Sequence, residues 1–227
     1  GIRVMMDLVV NHTAIDSPLA EEHPDWFKHE ADGSLASPYA VDPTDTSKRT
    51  VWGDLAEIDY DERPERRALV EWFAELVRHY VRLGFRGFRC DAAYKVPKDV
   101  WRLLIAAGRK ENDDVLFIAE NLGSLQEETL AMRGAGFDYL FNSVKWWDFR
   151  AYWLIDQYEQ FRSIAPSIAF PETHDTDRLI NDLAAEGVTD PQEIEKRYRS
   201  AYLIAALFST GVMIPIGFEY GFSKKLH

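Results

Sequence analysis

A single cysteine, Cys90, stands among 227 residues. That excludes an intrachain disulfide and a cysteine-rich metal site, and it suits a reducing compartment, so a cytoplasmic location is expected. No apolar run approaches the ~20 residues that span a bilayer. The opening Gly1-Ile2-Arg3-Val4-Met5-Met6 lacks the layout of a signal peptide, and a soluble chain is expected. Positive charge is also scarce: 26 Lys and Arg against 38 Asp and Glu give a formal net charge of -12. Nucleic acid and anionic membranes attract basic surfaces, so neither is expected as a partner, whereas a neutral substrate is indifferent to this charge. Internal repeats, low-complexity tracts and flexible linkers are missing too. The chain has no initiator Met and opens inside what reads as a strand, which suggests a piece of a longer protein. What it does have is 46% hydrophobic residues, enough for one α/β domain with a sizeable core.

Short strands alternate with helices along most of the chain. A first strand is expected near Arg3 to Val10, then an irregular segment over residues 13–63, rich in Pro, Asp and Ser. A loop that long in a compact domain is usually functional. Leu69, Trp72, Phe73, Leu76, Val77 and Tyr80 recur at helical spacing, predicting a helix from Pro64 to Leu83 that Gly84 ends. Beyond it the pattern predicts strands at Gly87–Cys90, Val115–Ala119, Tyr139–Asn142, Ile168–Phe170 and Val212–Pro215. Helices are predicted at Pro97–Lys110, Leu125–Met132, Arg150–Phe161, Asp177–Ala185 and Pro191–Phe208. Six strands joined by helices imply right-handed crossovers and a parallel sheet.

Polar motifs close four of these strands. They are Asp7-Leu8-Val9-Val10-Asn11-His12, Gly87-Phe88-Arg89-Cys90-Asp91, Phe117-Ile118-Ala119-Glu120-Asn121 and Phe170-Pro171-Glu172-Thr173-His174-Asp175. Active sites of parallel α/β barrels are built at the carboxyl ends of their strands. Side chains alternate faces along a strand, so burying Phe88 and Cys90 turns Arg89 and Asp91 inward together. A guanidinium two positions away favours the ionised carboxylate that a nucleophile needs, which makes Asp91 the candidate; the same pair also reads as a structural ion pair. Glu120 ends an apolar run, where desolvation favours the protonated form of a general acid. Two carboxylates flanking an acetal are the equipment of glycoside hydrolysis. Trp52, Tyr94, Trp146 and Trp147 can stack on sugar faces, although most of the seven Trp are expected in the core first.

With these four ordered motifs the chain resembles the α-amylase family, glycoside hydrolase family 13, over essentially its whole length. The resemblance implies an incomplete TIM (β/α)8 barrel containing strands three to eight, with residues 13–63 as a short inserted loop domain. It implies Asp91 as nucleophile, Glu120 as acid/base and Asp175 as the residue that holds sugar hydroxyls, with Arg89, His12 and His174 lining the same subsite. Trp52-Gly53-Asp54-Leu55-Ala56 resembles the family's fifth region, and residues 211–219 its eighth strand. The implied partner is an α-glucan or maltooligosaccharide, cleaved or transferred with retention of configuration.

Departures from the family pattern are specific. Tyr94 and Lys95 stand where many α-amylases have Lys and His, which changes the substrate contact made there and weakens the case for the usual calcium site. Asn11 is one oxygen ligand, against the 6 to 8 that Ca²⁺ takes, so no cofactor is expected and the metal set is unknown. His23-Pro24-Asp25-Trp26-Phe27 and Ala93-Tyr94-Lys95-Val96-Pro97 are similar to maltosyltransferases that use maltose 1-phosphate and α-glucan. A non-catalytic glucan-binding scaffold is a third reading. Six strands cannot close an eight-stranded barrel, and open sheet edges invite oligomerisation or loss of activity in this chain.

Overall fold

The computed structural model describes residues 1–41, 45 and 47–226; residues 42–44, 46 and 227 of the sequence, including part of the expected inserted segment, lie outside the described residues. The chain divides into two units, residues 1–140 with 163–165, and residues 141–162 with 166–227.

In the first unit β1 (Met5–Leu8) leads into the segment before the first long helix, whose described residues are not irregular as its composition suggested. It holds β2 (His12–Ala14), α1 (Pro18–Glu22), β3 (Tyr39–Val41), β4 (Arg49–Val51) and β5 (Leu55–Glu57). β2 pairs antiparallel with β5, placing His12 opposite Glu57, and β3 pairs antiparallel with β4. Strands of three residues are too short to show alternation, and a pairing between positions so far apart leaves no local signal. The segment returns to β1 through two bonds: Ile58 N–H to the Asn11 carbonyl (3.0 Å) and the buried Tyr60 hydroxyl to the Val10 carbonyl (2.6 Å).

α2 (Arg66–Arg82) buries Leu69, Val70, Phe73, Ala74, Val77 and Val81, one stripe at three- and four-residue spacing. Gly84, at φ 109°, takes the left-handed turn that ends it. β6 (Gly87–Cys90), α3 (Lys98–Glu111), β7 (Leu116–Ala119), α4 (Gln126–Ala131) and β8 (Tyr139–Phe141) follow. β1, β6 and β7 are parallel neighbours, Tyr139 and Leu140 extend the sheet beside Ile118 and Ala119, and Asp7 lies opposite Arg89. α3 rests close on this sheet at Gly108, where a Cβ would come within 2.7 Å of the Phe117 ring.

The second unit holds α5 (Trp153–Phe161), β9 (Ser167–Ala169), α6 (Leu179–Ala185), α7 (Pro191–Leu207) and β10 (Gly211–Val212). β9 and β10 are parallel, with Ile168 opposite Gly211. Asn142 ties its neighbours together: its N–H donates to the Ile168 carbonyl (3.0 Å) and its amide Nδ2 donates to Ser167 Oγ and the Phe208 carbonyl, both at 2.9 Å. In this unit three boundaries depart from the sequence reading by more than one residue. α5 begins at Trp153 rather than Arg150, because Asp148 Oδ1 accepts the N–H groups of Arg150 and Ala151 in a local turn. α6 begins at Leu179, whose N–H is taken by Glu172 Oε2 at 2.7 Å. β10 ends at Val212, although Met213 N–H still reaches the Ala169 carbonyl (2.8 Å). Only Trp26 and Trp101 of the seven tryptophans are buried; Trp52, Trp72, Trp146 and Trp153 are exposed, contrary to the core-first expectation. Among the described residues no helix is long and apolar enough to cross a membrane.

Candidate active site

The ends of β1, β6 and β7 bring six of the eight candidate residues into the first unit: His12, Arg89, Asp91, Tyr94, Lys95 and Glu120. His174 and Asp175 belong to the second.

Parallel pairing sets the geometry. Asp91 N–H donates to the Leu8 carbonyl (3.0 Å) and Glu120 N–H to the Cys90 carbonyl (2.9 Å), so the ladder continues past the strand ends and fixes both acidic residues. Phe88 and Cys90 are fully buried while Arg89 faces the other way, as alternation requires. One Arg89 nitrogen, Nη1, donates to Asp91 Oδ1 at 2.9 Å and to both oxygens of Asp7 at 2.8 Å. Burial works against the Arg89 charge, but the two aspartates outweigh it and hold the guanidinium more firmly protonated than usual. The link to Asp7 escaped the sequence reading. Register alone reveals it, since Asp7 and Arg89 are directly opposed across β1 and β6.

Glu120 sits in the opposite environment. Its side chain is buried, and burial pushes its pKa from 4.5 up to about 7; Asp91 adds to the rise while Arg89 and two backbone N–H groups oppose it. Those donors are Leu122 N–H to Oε1 (2.6 Å) and Ala92 N–H to Oε2 (2.9 Å). Ala92 has φ 37°, a left-handed conformation uncommon for a residue with a Cβ. That conformation lets the residue after Asp91 present its N–H to Glu120, and nothing in the sequence signals it. The two acidic groups are thereby aimed by backbone as well as by side chains.

Polar and aromatic groups surround this pair. Burial lowers the His12 pKa below 6.5 despite Asp91, Asp54 and Asp7, so its imidazole is neutral at pH 7 and can donate or accept. Burial, then Glu120, Glu128 and Asp91, raise the Tyr94 pKa, which keeps its hydroxyl a donor. Lys95 lies over the rings of Tyr94 (5.3 Å) and Tyr39 (5.5 Å), shares Tyr39 with Arg49 (4.8 Å) and approaches Glu128 at 3.9 Å. Asn11 is buried and its Oδ1 has no hydrogen-bond partner. One orphaned oxygen fits a single cation ligand. Among the described residues no three His, Cys, Asp or Glu side chains gather as a metal set.

In the second unit His174 Nε2 lies 3.2 Å from Asp175 Oδ2, both side chains largely exposed, and Asp175 N–H donates to Thr173 Oγ1 (3.2 Å). Beneath them Glu172 and Arg178 form a fully buried ion pair at 3.1 Å. Arg178 also donates to the carbonyls of Ile216 (3.0 Å) and Phe222 (3.1 Å), stapling the segment after β10 to the loop that carries Asp175. Breaking such a pair by removing one partner typically costs about 3–5 kcal/mol, because the charge left behind is buried and unpaired. The sequence reading singled out His174 and Asp175 but missed Arg178, whose role depends on carbonyls far along the chain.

No family model matches the chain. Over 227 residues it is 30% identical to an α-1,4-glucan:maltose-1-phosphate maltosyltransferase of Burkholderia pseudomallei, a match that covers 100% of this chain and 19% of that protein. Among solved structures, an α-amylase from Lactobacillus plantarum aligns with a TM-score of 0.70 at 23% identity, covering 99% of this chain and 53% of that one. In fold the chain is similar to α-amylases, and in sequence to a maltosyltransferase. An α-amylase from Geobacillus thermoleovorans, solved with acarbose, aligns at a TM-score of 0.72 and 18% identity, over 99% of this chain and 51% of that one. This chain therefore spans about half the length of these α-amylase-family structures and about a fifth of the maltosyltransferase. The likeness in fold agrees with the expected α/β architecture and its parallel strands.

Proposed function

We propose that the full-length protein is a retaining enzyme of α-1,4-glucan metabolism that cleaves or transfers glucosidic bonds through a covalent glycosyl-Asp91 intermediate. In this reading the six parallel strands are the third to eighth of a (β/α)8 barrel. The observation that carries it is the contrast between two neighbouring carboxyl groups: Asp91 is held by the Arg89 guanidinium, and Glu120 is buried with its pKa pushed up to about 7. An ionised nucleophile beside a protonated acid is the assignment that retaining glycosidic chemistry requires, with the carboxyls about 5–5.5 Å apart.

Asp91 attacks the anomeric carbon as Glu120 donates its proton to the departing glycosidic oxygen. Glu120, now ionised, takes a proton from the acceptor hydroxyl as that oxygen displaces Asp91. Water as acceptor gives hydrolysis and a sugar 4-hydroxyl gives transfer. In this reading neutral His12, protonated Tyr94 and Lys95 bind the sugar hydroxyls, a role that the family resemblance extends to His174 and Asp175. The 30% identity to a maltosyltransferase supports a second version in which maltose 1-phosphate is the donor and phosphate the leaving group.

The anomeric configuration of the first-formed product decides the mechanism. Proton NMR of the full-length protein acting on maltoheptaose, with and without maltose 1-phosphate, is expected to show α-configured product before mutarotation. Initial β-product means direct displacement by the acceptor and contradicts the covalent intermediate. Chain extension that depends on maltose 1-phosphate favours the phosphate-donor version, and extension without it favours plain glucan transfer.

A further inference from the structure

The segment between β8 and α5 concentrates aromatic residues: Trp146, Trp147, Phe149, Tyr152 and, opening the helix, Trp153. Trp147 is the anchor. Its indole N–H donates to the Ala151 carbonyl (2.8 Å), and its ring packs on Phe208 (5.4 Å between centroids) and on the core of Val144, Leu154, Ala169 and Ala205. The others turn outward: Trp146 is 49% exposed, Phe149 57% and Tyr152 81%. One exposed aromatic ring needs no explanation, but a cluster on one ordered loop marks a contact surface.

Phe149 sharpens the case. Its φ is 63°, in the left-handed region that bulky residues rarely occupy, and Asp148 Oδ1 fixes the turn by accepting N–H groups on both following residues (2.9 Å each). A turn needed only for connection is served better by glycine. Its ring lies tilted against Trp147 (4.8 Å between centroids) and is still largely exposed, and a strained residue that keeps so much of its ring in solvent points to a use for the ring. Trp146 meets Phe170 edge to face, with centroids 5.6 Å apart, and Phe170 leads directly into the Glu172–Asp175 loop.

We propose that Trp146, Phe149 and Tyr152 form a stacking platform that binds an α-glucan chain beside the Asp175 loop and favours long acceptors over short ones. This rests on the reading of the protein as a glucan-acting enzyme. The chemistry suits a neutral sugar polymer: pyranose rings present apolar C–H faces to an aromatic ring while their hydroxyls stay in water. The charges that flank Trp146 and Trp147 are already engaged, Lys145 with Asp182 (3.7 Å) and Asp148 with backbone N–H groups, so the ring faces themselves offer the binding surface.

The test is calorimetric titration of the full-length protein with maltoheptaose, comparing wild type, Trp146→Ala and Phe149→Gly, with melting curves and light scattering on each. Each variant is expected to raise the dissociation constant about 10-fold. Phe149→Gly gives up the ring contact with Trp147 but adopts this φ without strain, so the melting curve is its control: weaker binding by a variant that still unfolds in one cooperative transition well above the titration temperature is not a result of unfolding. Unchanged affinity in either variant overturns the platform, as does a variant whose only change is the loss of self-association, which assigns the rings to a protein contact. Asp91→Asn separates this proposal from the catalytic one. If that variant is inert while Phe149→Gly binds like wild type, only the platform fails. If it still turns over glucan while Phe149→Gly binds weakly, only the catalytic reading fails.

Discussion

Replacing Asp91 with Asn in the full-length protein is expected to lower turnover of α-glucan by about 10⁴- to 10⁶-fold, the scale of losing a covalent nucleophile. The substitution is nearly isosteric. The amide oxygen of the new side chain would still accept from Arg89, and Arg89 keeps both oxygens of Asp7, so the fold around β6 has little reason to change. What is lost is the negative charge that attacks the anomeric carbon. Steady-state rates on maltoheptaose, with melting temperatures measured alongside, check this. A loss below about 10-fold in a normally folded variant would falsify the assignment of Asp91 and leave it a structural partner of Arg89.

Glu120→Gln is expected to lower turnover by about 10²- to 10⁴-fold and to remove the alkaline limb of the pH profile. Wild-type Glu120 must be protonated to assist the leaving oxygen, so kcat/KM should fall as pH rises through about 7. With Gln at this position no proton is there to lose, and the residual rate should be flat through the same range. The defect should shrink with a donor whose leaving group departs without a proton, such as a glycosyl fluoride, while the Asp91→Asn defect should not. The same group leaves a mark on stability. Its folded pKa is raised, so its contribution is fully present below pH 4.5 and disappears as pH climbs through about 7, a change of about 3 kcal/mol. Urea unfolding of wild type and Glu120→Gln between pH 4 and 8 should show their difference shifting against wild type by that amount. A pH-independent difference contradicts the buried, protonated carboxyl.

Much of the framework was legible because it rests on local pattern. The stripe of α2, the apolar run of β7 and the alternation in β6 that turns Arg89 away from Phe88 and Cys90 all follow from side-chain periodicity. Asp91 and Glu120 stood out because each breaks an apolar run where a parallel strand ends. What stayed hidden depends on contacts between distant segments. The two small antiparallel sheets between β1 and α2, the bond from Arg89 to Asp7 and the Arg178 staple to Ile216 and Phe222 have no signature in neighbouring residues. Ala92 and Phe149 illustrate a second kind of blindness. Left-handed backbone is predictable at glycine, and at these residues it is imposed by hydrogen bonds around them. Exposed tryptophans misled for a third reason, since large apolar rings are buried on average while the fate of each one depends on what the distant chain packs against it.

The most direct measurement of the central claim is the mass of the intermediate. The full-length Glu120→Gln protein, treated with 5-fluoro-α-glucosyl fluoride, quenched in acid and digested, should yield one peptide heavier by a single fluoroglucosyl group, with the label on Asp91. An adduct on another carboxylate, or none despite consumption of the fluoride, would contradict the mechanism proposed for this site.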